Sequence, residues 1–194
     1  MILRKLSQVI GGIKKGWAVD TFLGGFPVFQ ALQDPDNAST TAIHAAISLT
    51  TAVQNVTTGI TDPDVYRCLS ITGNEADMNQ DVTIVGHNWA GNTIEETITL
   101  SGTNTVVGLM PFKDVTKIVA PVQLDAGETV AIGHANKFGL YRPLFNDATA
   151  SVVRFEQGVT AESATVDATY DTVIPTTTPD GSKDFSINYL TDMF

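Results

Sequence analysis

The chain has 194 residues, a length that suits one main domain with a core large enough to stand without staples. Its net charge of −10, from 21 acids against 11 bases, excludes the broad basic footprint of a general nucleic-acid binder. A lone cysteine, Cys68, excludes an intrachain disulfide framework and a cysteine-based zinc site.

The first element is basic and apolar. Ile2, Leu6, Val9, Ile13 and Trp17 recur at helical spacing, with Arg4, Lys5, Lys14 and Lys15 on the other side. Gly11, Gly12 and Gly16 each weaken a helix by roughly 1 kcal/mol relative to Ala. The expectation is an extended or partly helical arm that orders against another surface. Residues 1–19 carry four bases and no acid, so the remaining 175 residues carry 7 − 21 = −14. Lys14 and Lys15 also interrupt the apolar run too early for a secretory signal, and no window is long and apolar enough to span a bilayer.

Residues 17–32 are aromatic and apolar, holding Trp17, Phe22, Phe26 and Phe29, with Gly24, Gly25 and Pro27 forbidding a regular helix. They read as a segment laid across a partner or plugged into the domain's own core. Asp34-Pro35-Asp36-Asn37 reads as a linker turn. The chain thus divides into an arm and linker over 1–40 and a β domain over 41–194. The arm residues expected to make contacts are Arg4, Lys5, Leu6, Lys14, Lys15, Trp17, Phe22, Phe26 and Phe29.

Strand signals dominate from there on. The chain has 26 Thr and 19 Val, and apolar residues alternate with polar ones at 47–53, 65–71, 93–100, 166–174 and 185–189. In the clearest case Ile94, Glu96, Ile98 and Leu100 share one face, and Thr93, Glu95, Thr97 and Thr99 the other. His87–Asn92 and Ser101–Asn104 are built of turn residues. Thr178-Pro179-Asp180-Gly181 predicts a hairpin joining 166–174 to 185–189. Thr129 to Ile132 predicts a further short strand, and 133–150 carries no clear pattern. The expected class is all-β: an antiparallel sandwich or barrel, jelly-roll-like, with an amino-terminal arm.

Chemistry is sparse. His44, His87 and His134 have no metal-ligand spacing. Asp77-Met78-Asn79-Gln80-Asp81 begins like a calcium loop but has Val82 where the sharp turn needs glycine and Asn88 where a bidentate Glu belongs, so Asn74–Asp81 is a weak ion site at most. Glu95 and Glu96 point to opposite faces of one strand and cannot form an acid/base dyad. Glu96, on the apolar face, is expected to sit near a strand end, to pair with Arg67 or Lys113, or to face a subunit interface. Cys68 lies in an ordinary strand pattern. No nucleophile elbow, phosphate loop or dinucleotide fingerprint is present. The reading is of a protein that is not an enzyme and takes no cofactor. Trp89, Tyr66 and Tyr141 are the aromatics that a carbohydrate- or ligand-binding module would use.

Asp81 to Gly86, Gly91 to Thr103 and Phe112 to Ile118, with a looser echo in Pro179 to Tyr189, resemble β-rich virion proteins of tailed bacteriophages. The likeness is greatest to head decoration (cement) and accessory head proteins, and covers about a third of the chain. The resemblance implies a homo-oligomer that docks on the assembled head, stabilises it, and has the major capsid protein or another virion subunit as partner. Nucleic acid and membrane are not implied as partners. The place would be the virion, assembled in the host cytoplasm. A neck, tail or fibre component is the alternative within that class.

Overall fold

The computed structural model describes residues 25–144, 154–157 and 160–192, which hold fourteen strands and no helix. In chain order they begin with β1 (Gly25–Leu32), β2 (Ser39–Ser48), β3 (Gln54–Val56), β4 (Arg67–Gly73) and β5 (Asp81–His87). Next come β6 (Thr93–Thr99), β7 (Val106–Phe112), β8 (Asp114–Ala120), β9 (Thr129–Gly139) and β10 (Arg154–Gln157). The last are β11 (Thr160–Glu162), β12 (Ala164–Asp167), β13 (Thr172–Pro175) and β14 (Phe185–Asp192).

They form three antiparallel sheets. One runs β3-β8-β5-β6. A second runs β12-β13-β9-β4-β7, with β2 also on β9, and the third runs β1-β14-β10-β11. The all-β expectation holds, and the sheets are curled.

Strand β9 organises the whole. Eight of its 11 residues are buried, because both faces are covered over most of its length. Its first half sends Val130 and Ile132 into a core shared with Ile71, Ile84, Ile98, Phe112 and Ile118, between the first and second sheets. Phe138, at its far end, enters a second core with Leu32, Val173, Phe185, Ile187 and Tyr189, beneath the third sheet. Gly133 lies where β2 crosses: a Cβ there would strike the backbone of Ser39 and Thr40. No larger residue fits without moving β2.

The period-two signal of β6 is realised as expected, with Glu96, Ile98 and Leu100 buried and Thr93, Glu95, Thr97 and Thr99 exposed. Four corrections follow from the described residues. Residues 47–53 are not one strand: β2 ends at Ser48 and β3 begins at Gln54. The alternation at 166–174 is broken by a turn at Ala168–Asp171, where Asp171 sits at φ 51. The hairpin predicted at Thr178–Gly181 does not form, because β13 pairs with β12 and β9 while β14 pairs with β1 and β10. There Gly181 N–H instead donates to Pro35 O at 3.1 Å.

The fourth concerns the segment read as an arm over 1–40. Its residues 25–32 are β1, in register with β14 from Gly25↔Asp192 to Leu32↔Phe185. Leu32 and Gln30 are fully buried, and the Gln30 amide spans to Gly139 O and Tyr141 N–H. This part is integral to the β fold. The expected helix over residues 2–17 lies outside the described residues.

Candidate functional site

Two arrangements stand out where β4 begins, and Tyr66 and Arg67 each enter one of them. The first is a buried clamp. Arg67 is fully buried, and its five N–H groups meet five acceptors. Nε donates to Ala135 O, and Nη1 donates to both Asp64 carboxylate oxygens at 2.7 and 2.9 Å. Nη2 donates to Asp36 O and Asn136 Oδ1, and the guanidinium lies 4.8 Å from the Phe138 ring centre. Asp64 also accepts the Asp36 N–H. The clamp therefore ties the turn before β2, the start of β4 and the middle of β9, at the boundary between the two cores.

His134 stands beside it, with Nε2 3.9 Å from Asp64 and a buried Nδ1 that has no hydrogen-bond partner. Burial, and then the charge of Arg67, hold its pKa below the ordinary value, against the opposing pull of Asp64. Neutral imidazole is the form that this environment favours.

The second arrangement is aromatic. Trp89 from the β5–β6 turn and Tyr141 from just beyond β9 stack with ring centres 3.6 Å apart and planes 5° apart. Tyr66 lies tilted at 6.1 Å from Trp89 and 6.3 Å from Tyr141. The Lys113 ammonium sits 5.7 Å from the Trp89 ring centre, within cation–π range. Trp89 remains 42% exposed, while Tyr66 is buried and its hydroxyl is pushed up to about 12, chiefly by that burial. Beside the rings is an open cleft of about 200 Å³, lined by Tyr66, Asn88, Ile94, Thr169, Tyr170 and Asp171. Burial also raises the Asp171 carboxyl, which accepts the Leu144 N–H. The three aromatics singled out from sequence are thus brought together, from three separate segments.

The remaining sequence candidates fall apart as sites. Cys68 is fully buried, with its thiol pushed up to about 12 by desolvation, and it donates to Leu109 O at 3.4 Å. Glu96 pairs with neither Arg67 nor Lys113. Its carboxylate accepts backbone N–H groups of Leu109 and Met110, where β7 bulges against β4. Gly108 leaves the room for it: a Cβ there would lie 2.5 Å from Glu96 Oε2. Burial raises the Glu96 pKa against these hydrogen bonds.

In the loop Asn74–Asp81, Asn74 bonds Gly127 and Thr129, and Asp81 accepts the Thr99 hydroxyl. No three His, Cys, Asp or Glu side chains among the described residues converge as a metal site. His44 and His87 bond Ala45 O and Asp114. Of the contact residues predicted in the arm, Arg4, Lys5, Leu6, Lys14, Lys15, Trp17 and Phe22 lie outside the described residues. Phe26 pairs through its backbone with Thr191, and Phe29 is 66% exposed on β1.

Sequence reasoning missed the clamp. The available signal was Asp64 three residues before Arg67 in a strand pattern with no room for a charge. No family model, no curated protein and no solved structure matches the chain.

Proposed function

We propose that this chain is a structural subunit of a tailed-phage particle, a decoration protein that docks on the assembled head and strengthens it. In this reading the two curled sheets around the larger core make an antiparallel sandwich or barrel of jelly-roll type. The observation that carries the reading is a tightly knit β frame that leaves large apolar side chains in water: Phe29 at 66%, Val53 and Leu124 at 57%. Val53 and Leu124 lie on loops joined by the Gln123 N–H to Thr50 O hydrogen bond, and apolar side chains grouped on a well-ordered surface suit an interaction face. The resemblance over residues 81–86, 91–103 and 112–118 supports the same class; these residues fall mainly on β5, β6 and β8 of one sheet and on the turns that join them. The partners are the major capsid protein and further copies of the chain, in the virion.

The test is to add purified protein to heads that lack it. Saturable binding with delayed thermal rupture of the head is the expected result. Binding at the neck, tail or fibre instead, seen by gold labelling, would move the subunit there; no binding to any part of the particle overturns the reading.

A second reading, a carbohydrate-binding module, is favoured by one observation, the Trp89–Tyr141–Tyr66 cluster beside a cleft of mixed polar and apolar lining. A glycan array scored with wild type and Trp89→Ala decides it.

A further inference from the structure

One end of the molecule is built from four loops, 49–53, 74–80, 100–105 and 121–128. Hydrogen bonds fuse them. Leu49 N–H donates to Glu128 O, Gln123 N–H to Thr50 O, Leu100 N–H to Gln80 O and Gly102 N–H to Met78 O. Gln80 Nε2 and Leu124 N–H both donate to Glu128 Oε2. On this base Val53, Val122 and Leu124 are exposed at 57%, 40% and 57%. Around them stand the exposed carboxylates of Glu75, Asp77 and Asp125, with Asp81 at the start of β5. The four loops contain no Lys, Arg or His. Beneath them Glu128 is buried, and its second oxygen has no partner.

The chemistry that fits this end is apolar and cationic together, and one segment of the chain has that composition. Residues 1–19 carry Arg4, Lys5, Lys14 and Lys15, no acid, and the apolar Ile2, Leu3, Leu6, Val9, Ile10, Ile13 and Trp17. The described part of the chain begins at the opposite end. Gly25 pairs with Asp192, next to the Leu144↔Thr191 bridge, beyond the carboxyl end of β9. The acidic loops lie at the amino end of β9, whose 11 residues span roughly 35 Å at the usual strand rise. A contact between that segment of one copy and these loops of the next is head-to-tail, and closes into a ring or continues as a filament.

We infer that the basic apolar segment 1–19 of one copy docks on the acidic, apolar loop end of a second copy. This goes beyond the particle-docking reading, because it concerns the purified protein alone. Opposite charge sets register and encounter rate, and the burial of Val53, Val122 and Leu124 supplies affinity.

Sedimentation velocity on the full chain tests it. Wild type is expected to self-associate, more weakly as salt rises. A charge-reversed arm (Arg4→Glu, Lys5→Glu, Lys14→Glu, Lys15→Glu) and an acceptor variant (Val53→Asp, Leu124→Asp) are each expected to weaken association by about tenfold or more. The acceptor variant should keep the wild-type melting temperature, since both changed side chains are exposed. Mixing the two variants is the decisive arm. Each retains one intact surface, the acceptor on the first and the arm on the second, so a 1:1 pair that cannot grow further is expected. A monomeric wild type, variants that assemble like wild type, or a mixture that yields no pair overturns the inference. Particle binding by a protein that does not self-associate would leave the structural reading standing while this one falls.

Discussion

Arg67 is the residue whose loss the fold is least able to absorb. Its guanidinium is out of water and every N–H is matched, so truncation leaves the Asp64 carboxylate, two carbonyls and the Asn136 amide oxygen without their donor. Removing one member of a buried ion pair typically costs about 3–5 kcal/mol. Arg67→Ala should lose stability on that scale in urea denaturation, and a loss under about 1 kcal/mol would show the clamp to be dispensable. His134 gives a second test at the same place. Its folded pKa lies below the ordinary 6.5, so below that pH the unfolded chain binds a proton that the folded one resists. Its contribution is therefore fully present above about pH 6.5 and is lost as pH falls toward the folded value. Wild type should weaken relative to His134→Gln between about pH 6.5 and pH 5, and parallel stability curves would rule this out. The difference between the two proteins isolates His134 from Glu96 and Asp171, whose raised pKa values act with the opposite sign.

At the scale of elements, local pattern was a good guide where one face is buried and a poor one where two are. Strand β6 has one wet face, and its alternation could be read directly from Thr93 to Leu100. Strand β9 is dry on both faces, so residues such as Gly133, His134, Asn136 and Lys137 carry no period, and its second half had no legible pattern. The failed hairpin at Thr178–Gly181 has a different cause. Turn chemistry states that the chain bends, but the choice of partner strand is a tertiary matter, and β14 lies between β1 and β10. The clamp was legible only in the nearby Asp64, since its other members, Asp36 and the pair Ala135 and Asn136, meet Arg67 from two distant segments. Strand β1 yields the prediction at this scale. Deleting residues 1–24 should leave the melting temperature of the β fold nearly unchanged. Deleting 1–32 removes Leu32 and the Gln30 bridge to Gly139 and Tyr141, and should cost several kcal/mol or prevent folding. Equal stability of the two truncations, measured by thermal melts, would show that β1 contributes nothing.

At the scale of the whole molecule, the all-β class was legible from Thr and Val abundance and period two, whereas the pairing of residues 25–32 with β14 was not. A segment rich in Phe, Gly and Pro looks alike whether it covers a neighbour or completes its own sheet. The pairing of β1 with β14 also reaches into the protein's synthesis. Gln30 and the Tyr189 hydroxyl that approaches it are 159 positions apart. As the chain leaves the ribosome, β1 emerges well before β14 and finds its partner only after Phe185–Asp192 has been made. Until then Leu32 and the free edge of β1 stay open to other nascent chains, and long-range closure of this kind is slow. Strand β14 thus acts as a timer: a truncated product that lacks it leaves the third sheet unfinished and the adjoining core uncovered.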